Sequence, residues 1–66
     1  MQVIYNGAPR DLSPGATVSV LLAELKLASR PVAVEVNGDV VPREHHAAVT
    51  LQAGDRVEVV TLVGGG

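Results

Sequence analysis

Cysteine is absent from this chain of 66 residues. That excludes a disulfide framework, a thiolate metal site and a thiol nucleophile, so other means must hold the fold together. Phenylalanine and tryptophan are missing as well, leaving Tyr5 as the sole aromatic ring although apolar residues make up 47% of the chain. The core is therefore expected from Val, Leu, Ile and Ala, a composition that favours β-rich packing of branched side chains. No apolar stretch approaches the roughly 20 residues that span a bilayer, and the N-terminus opens on alternating residues, not on a basic segment followed by an apolar run. A cytoplasmic protein, neither secreted nor membrane-embedded, is the expectation. A basic cluster is lacking too: Arg10, Lys26, Arg30, Arg43 and Arg56 stand singly against seven acidic residues, for a formal net charge of -2. Nucleic-acid binding needs a concentrated basic footprint, so it is not expected here. A chain of this length makes one small domain with little net stability and no room for a deep catalytic cleft.

What is present is a clear alternation of elements. Met1, Val3 and Tyr5 alternate with polar positions up to Asn6, which predicts a strand, and Gly7-Ala8-Pro9 predicts the turn after it. Arg10 to Leu12 then returns as a short second strand before Ser13-Pro14-Gly15 breaks the chain. Thr17 is a candidate N-cap, followed by Val18, Leu21, Leu22 and Leu25 at the spacing of one helical face. The helix is predicted from Val18 to Leu27, without a capping box, and ended by Ala28-Ser29-Arg30-Pro31. Val32, Val34 and Val36 make a one-sided strand that stops at the turn signal Asn37-Gly38-Asp39. Val40-Val41-Pro42 suits a brief edge pairing, Arg43 to Ala48 is ambiguous, and Arg56 to Leu62 forms the last strand. In that strand Val57 and Val59 face one way, while Glu58, Val60 and Leu62 face the other. Strand, strand, helix, strand, short strand, strand is an α+β order. It predicts a mixed β-sheet with one helix packed across one face and the first and last strands as parallel neighbours, the ubiquitin-like β-grasp arrangement.

After the last strand come Gly64, Gly65 and Gly66. Three successive glycines are costly to order and useless for packing. Without Cβ atoms such a tail can thread a narrow channel in a partner and present its terminal carboxylate. An α-carboxyl with an unperturbed pKa of about 3.3 to 3.7 is ionised at neutral pH and able to attack an activated phosphate.

Several runs together resemble the thiamin sulfur-carrier (ThiS) family along essentially the whole chain. They are Met1-Gln2-Val3-Ile4-Tyr5-Asn6-Gly7, Thr17-Val18 with Leu21-Leu22, Val34-Glu35-Val36-Asn37-Gly38-Asp39-Val40-Val41-Pro42-Arg43, and Val63-Gly64-Gly65-Gly66. The Asn-Gly-x-Val-Val-Pro-Arg run discriminates best, because a Gly-Gly ending alone is shared by other ubiquitin-like carriers. The resemblance implies a β-grasp domain over residues 1–63 and a flexible glycine tail over 64–66. It further implies a protein cosubstrate, not an enzyme. A ubiquitin-activating-like adenylyltransferase would adenylate the Gly66 carboxylate with ATP, which is consumed by that partner and not bound as a cofactor here. Sulfur from a donor such as a cysteine desulfurase would then replace one oxygen to give a thiocarboxylate, which thiazole synthase consumes. The free protein is expected as a monomer.

The same resemblance bears on other residues. Val60 and Leu62 are either covered by the rest of the fold or join Ile4 in an exposed apolar partner patch; the patch is the expectation, since ubiquitin-like proteins dock through this sheet face. Arg43 is a further partner-binding candidate, able to pair with an acidic partner surface, although a lone Arg in a loop is more often simply solvated. Adjacent His45-His46 lacks the third ligand of a metal site, so no metal is expected. A surface turn is the default there, with one histidine free to pack over it. Three other functions remain open: a carrier like the small subunit of molybdopterin synthase, a protein modifier joined through Gly66, and a non-reactive interaction module.

Overall fold

Alternation dictates which side of each strand is buried. Val3, Val34, Val57 and Val59 all lie in the core, and each is followed by a residue turned to the other face. The computed structural model describes residues 1–62 of the chain. Five strands form one mixed sheet: β1 (Gln2–Tyr5), β2 (Ala8–Asp11), β3 (Val32–Val36), β4 (Asp39–Val40) and β5 (Arg56–Thr61), in the order β2-β1-β5-β3-β4. β5 is central, parallel to β1 and antiparallel to β3. One helix, α1 (Val18–Glu24), supplies Val18, Leu21 and Leu22 to the core that also takes in Leu12, Ala16 and Leu51. The topology is the β-grasp arrangement expected from the element order.

Three boundaries differ from the expectation, each for a local reason. The first turn lies at Asn6-Gly7, not at Gly7-Ala8-Pro9, so that β2 starts at Ala8. Asn6 (φ 47°) and Gly7 (φ 84°) are both left-handed, as in the two-residue turn that matches strand twist. Pro9 is tolerated inside β2 because that strand is the sheet edge, where a missing N–H breaks no ladder. The helix stops at Glu24 because Lys26 turns left-handed (φ 60°), well before Pro31. There Leu27 N–H donates to Leu22 O at 2.8 Å and Lys26 N–H to Ala23 O at 3.0 Å, which satisfies carbonyls that the helix end leaves free. The ambiguous stretch contains a 3-10 turn, Arg43–His45, entered from Pro42.

At the other end of α1, Val20 N–H donates to Thr17 Oγ1 at 3.2 Å, confirming the predicted cap. The segment around Thr50 pairs back to the helix entry: Val18 N–H donates to Val49 O and Leu51 N–H to Ala16 O. These bonds hold α1 across one sheet face and leave the opposite face open.

Candidate functional site

The open face is set by strand register. Val60 lies opposite Ala33, Glu58 opposite Glu35, and Arg56 opposite Ile4 on the parallel neighbour. Val60 is 60% exposed and Leu62, one residue past β5, is 51% exposed, so neither is covered by the rest of the fold. Ile4 is only half-buried, but it stands beside Arg56, four residues along β5 from Val60. At about 3.3 Å per residue that is a separation of about 13 Å, with Glu58 between. The expected patch is therefore split. Val60 and Ala33 make its apolar end, while Ile4 sits in a more polar row.

The middle of this face carries two carboxylates directly across from one another, Glu35 and Glu58. Like charges in that position disfavour the sheet by a few tenths to about 1 kcal/mol. Together with Asn37, Gly38 and Arg56 they line a broad, shallow depression.

At the end of the domain where the chain leaves β5, Leu62 N–H donates to Pro31 O at 2.9 Å. Leu62 and Arg43 come to the same place here. Both line a cavity of about 170 Å³ shared with Leu22, Arg30, Val32 and His46. Arg30 joins this site without any signal in the sequence, since it stands 13 positions before Arg43 and no motif links them.

His45 and His46 take different environments. His45 is exposed, whereas His46 is only 7% exposed and its Nε2 lies 3.0 Å from Val41 O. The imidazole thus packs over the turn and donates to a strand-end carbonyl, the tautomer with the proton on Nε2 being the one that satisfies it. Among the described residues no group of three His, Cys, Asp or Glu is placed to hold a metal ion. No helix among them is long and apolar enough to cross a membrane. Val63, Gly64, Gly65 and Gly66, and with them the flexible tail and the reactive carboxylate expected from the sequence, lie outside the described residues.

Comparison with known proteins agrees with this geometry. The ThiS family model matches residues 3–66. The sulfur carrier protein ThiS of Escherichia coli is 32% identical over 66 residues, covering 100% of both chains. A crystal structure of the thiamine biosynthesis protein ThiS from Geobacter metallireducens superposes with a TM-score of 0.84 at 39% identity, again over 100% of both chains. A thiazole synthase from Paramagnetospirillum magneticum is 44% identical over all 66 residues, and the chain spans 20% of its length.

Proposed function

Because this chain belongs to the ThiS family, we propose that it is a sulfur carrier of thiamin biosynthesis whose reactive group is the carboxylate of Gly66. The observation that carries the reading is the match of the family model through residue 66, so that the glycine run is part of the likeness and not an appendage to it. In this reading the terminal acyl group is the reactive centre, and the protein is a cosubstrate handled by other enzymes in the cytoplasm.

The proposed cycle begins with adenylation. The Gly66 carboxylate attacks the α-phosphorus of ATP bound in a ubiquitin-activating-like adenylyltransferase, and pyrophosphate leaves. The outer sulfur of a persulfide on a cysteine desulfurase or related donor then attacks the acyl adenylate, AMP departs and an acyl disulfide forms. A second thiol on the donor side attacks the donor cysteine's sulfur, is oxidised to a disulfide with it, and releases the thiocarboxylate. Thiazole synthase takes that sulfur, a role supported by the 44% identity between this domain and a segment of longer proteins of that name. A carrier without cysteine has no side-chain thiol onto which the sulfur could be diverted. Exposed Val60 and Leu62 supply the docking surface.

Intact-mass analysis after incubation with the adenylyltransferase, ATP and a sulfur donor tests the reading. Oxygen-to-sulfur exchange is expected in the unaltered chain. It is lost when Gly66 is deleted and weakened less severely by Gly65→Ala, where one methyl narrows the fit but leaves the carboxylate in place. Undiminished exchange without Gly66 would falsify the assignment, and a mass increase corresponding to a protein adduct would favour the modifier function instead.

A further inference from the structure

The cavity at the end of β5 gathers two of the chain's five basic residues, Arg30 and Arg43, in a protein whose net charge is -2. No Asp or Glu lines it. Among the described residues the one ion pair joins Arg10 to Glu24, elsewhere on the molecule, so neither cation has an acidic partner there. Both residues are exposed, so their charges are accessible to an incoming anion.

Their backbone positions are well tied. Arg30 N–H donates to Leu27 O at 3.0 Å, and the neighbouring Pro31 carbonyl accepts from Leu62 N–H. On the facing segment His46 N–H donates to Arg43 O at 3.1 Å, and the buried His46 ring is held to Val41 O. Leu22, Val32 and Leu62 supply an apolar wall. At about 170 Å³ the cavity has room for more than one water and accommodates a carboxylate with its methylene stem.

We propose that this cavity receives one Asp or Glu side chain of the protein that docks on the carrier, clamped between the Arg30 and Arg43 guanidiniums. The inference rests on the reading above, in which partner enzymes handle this chain. A guanidinium fork matches a carboxylate in a way that a single ammonium does not. The exposed Leu62, at the rim, extends the contact toward Val60, so the partner presents an acidic residue beside an apolar one.

Calorimetric titration of thiazole synthase and of the adenylyltransferase with the carrier tests this. Arg30→Gln and Arg43→Gln are each expected to weaken binding of at least one of the two enzymes about tenfold, the scale of one charge-assisted contact. Arg43→Lys should recover part of the loss, and Lys26→Gln, an exposed cation that does not line the cavity, should stay within twofold. Alanine scanning of the acidic residues on the affected enzyme should find one whose removal weakens binding to the unaltered carrier and is silent against the double Gln variant. Thermal unfolding of each variant checks that the fold persists; should Arg30→Gln fail it, Arg30→Lys takes its place. A double variant that binds both enzymes within twofold of the unaltered chain overturns the proposal, as does Lys26→Gln matching its loss. Inorganic phosphate that binds the cavity without competing with either enzyme would make it a small-anion site and overturn it too. If Gly66 still acquires sulfur in such a case, the carrier reading survives alone; if the unaltered chain is neither bound nor converted, both fall.

Discussion

Two asparagines carry more of this sheet than their turn positions suggest. Asn6 adopts a left-handed backbone next to Gly7, and its side-chain amide then continues the sheet: Nδ2 donates to Val59 O at 3.0 Å and Val59 N–H donates to Oδ1 at 2.8 Å. A side chain thus stands where another residue of β1 would pair with β5. Asn37 repeats the device at the second Asn-Gly turn, accepting from Arg56 N–H and donating to Asp55 Oδ1, both at 3.0 Å. The two sites differ in exposure. Bonds at Asn6 are partly buried and those at Asn37 are exposed. Removing Asn6 leaves two backbone groups of Val59 unpaired and forces an ordinary residue into the left-handed region, so Asn6→Ala is expected to cost about 2–3 kcal/mol. Asn37→Ala should cost about 1 kcal/mol less, because water replaces its partners. Urea unfolding measures both, and equal losses at the two positions would contradict the weight given to burial. Turn formation at Asn37-Gly38 was readable from the dipeptide. The first turn was expected at Gly7-Ala8-Pro9 but lies at Asn6-Gly7, and Pro9 is accommodated because its strand is an edge.

Among the elements, α1 is the most economical in its sequence signals. Its start was legible, since Thr17 precedes an apolar face at helical spacing and bonds as a cap. Its end was not. A C-terminal glycine is the usual mark of the left-handed closing residue, and this chain places Lys26 there instead. The closing bonds from Leu27 and Lys26 form regardless, with Leu22 and Leu27 both in or against the core. Lys26→Gly should therefore relieve backbone strain without losing a buried contact, since Lys26 is exposed. We expect a gain of about 0.5–1 kcal/mol, or roughly 2–8 °C in the midpoint of thermal unfolding for a domain of this size. A lower midpoint would mean that the lysine side chain contributes something the fold does not reveal.

At the scale of the whole molecule, stability rests on the helix-covered face of the sheet, and docking on the open face and on the cavity at the end of β5. Leu21 is fully buried beneath the sheet, and Leu21→Ala is expected to cost about 2–5 kcal/mol, comparable with all that so small a core provides. Val60 is exposed on the other face, so Val60→Asp should leave the unfolding midpoint nearly unchanged while weakening partner binding and sulfur transfer. Circular dichroism melts beside calorimetric titration separate the two effects, and a Val60→Asp chain that unfolds would return that residue to the core. The sequence by itself determined the element order, the buried side of each strand and the candidate reactive terminus, because period-two and helical spacing, turn dipeptides and a glycine run are local patterns. Only the tertiary structure decided that Ile4 stands apart from Val60 and that Leu62, Arg43 and Arg30 line one cavity. Register and the packing of a loop against a strand end bring together residues far apart in the chain, and nothing in their spacing records that meeting.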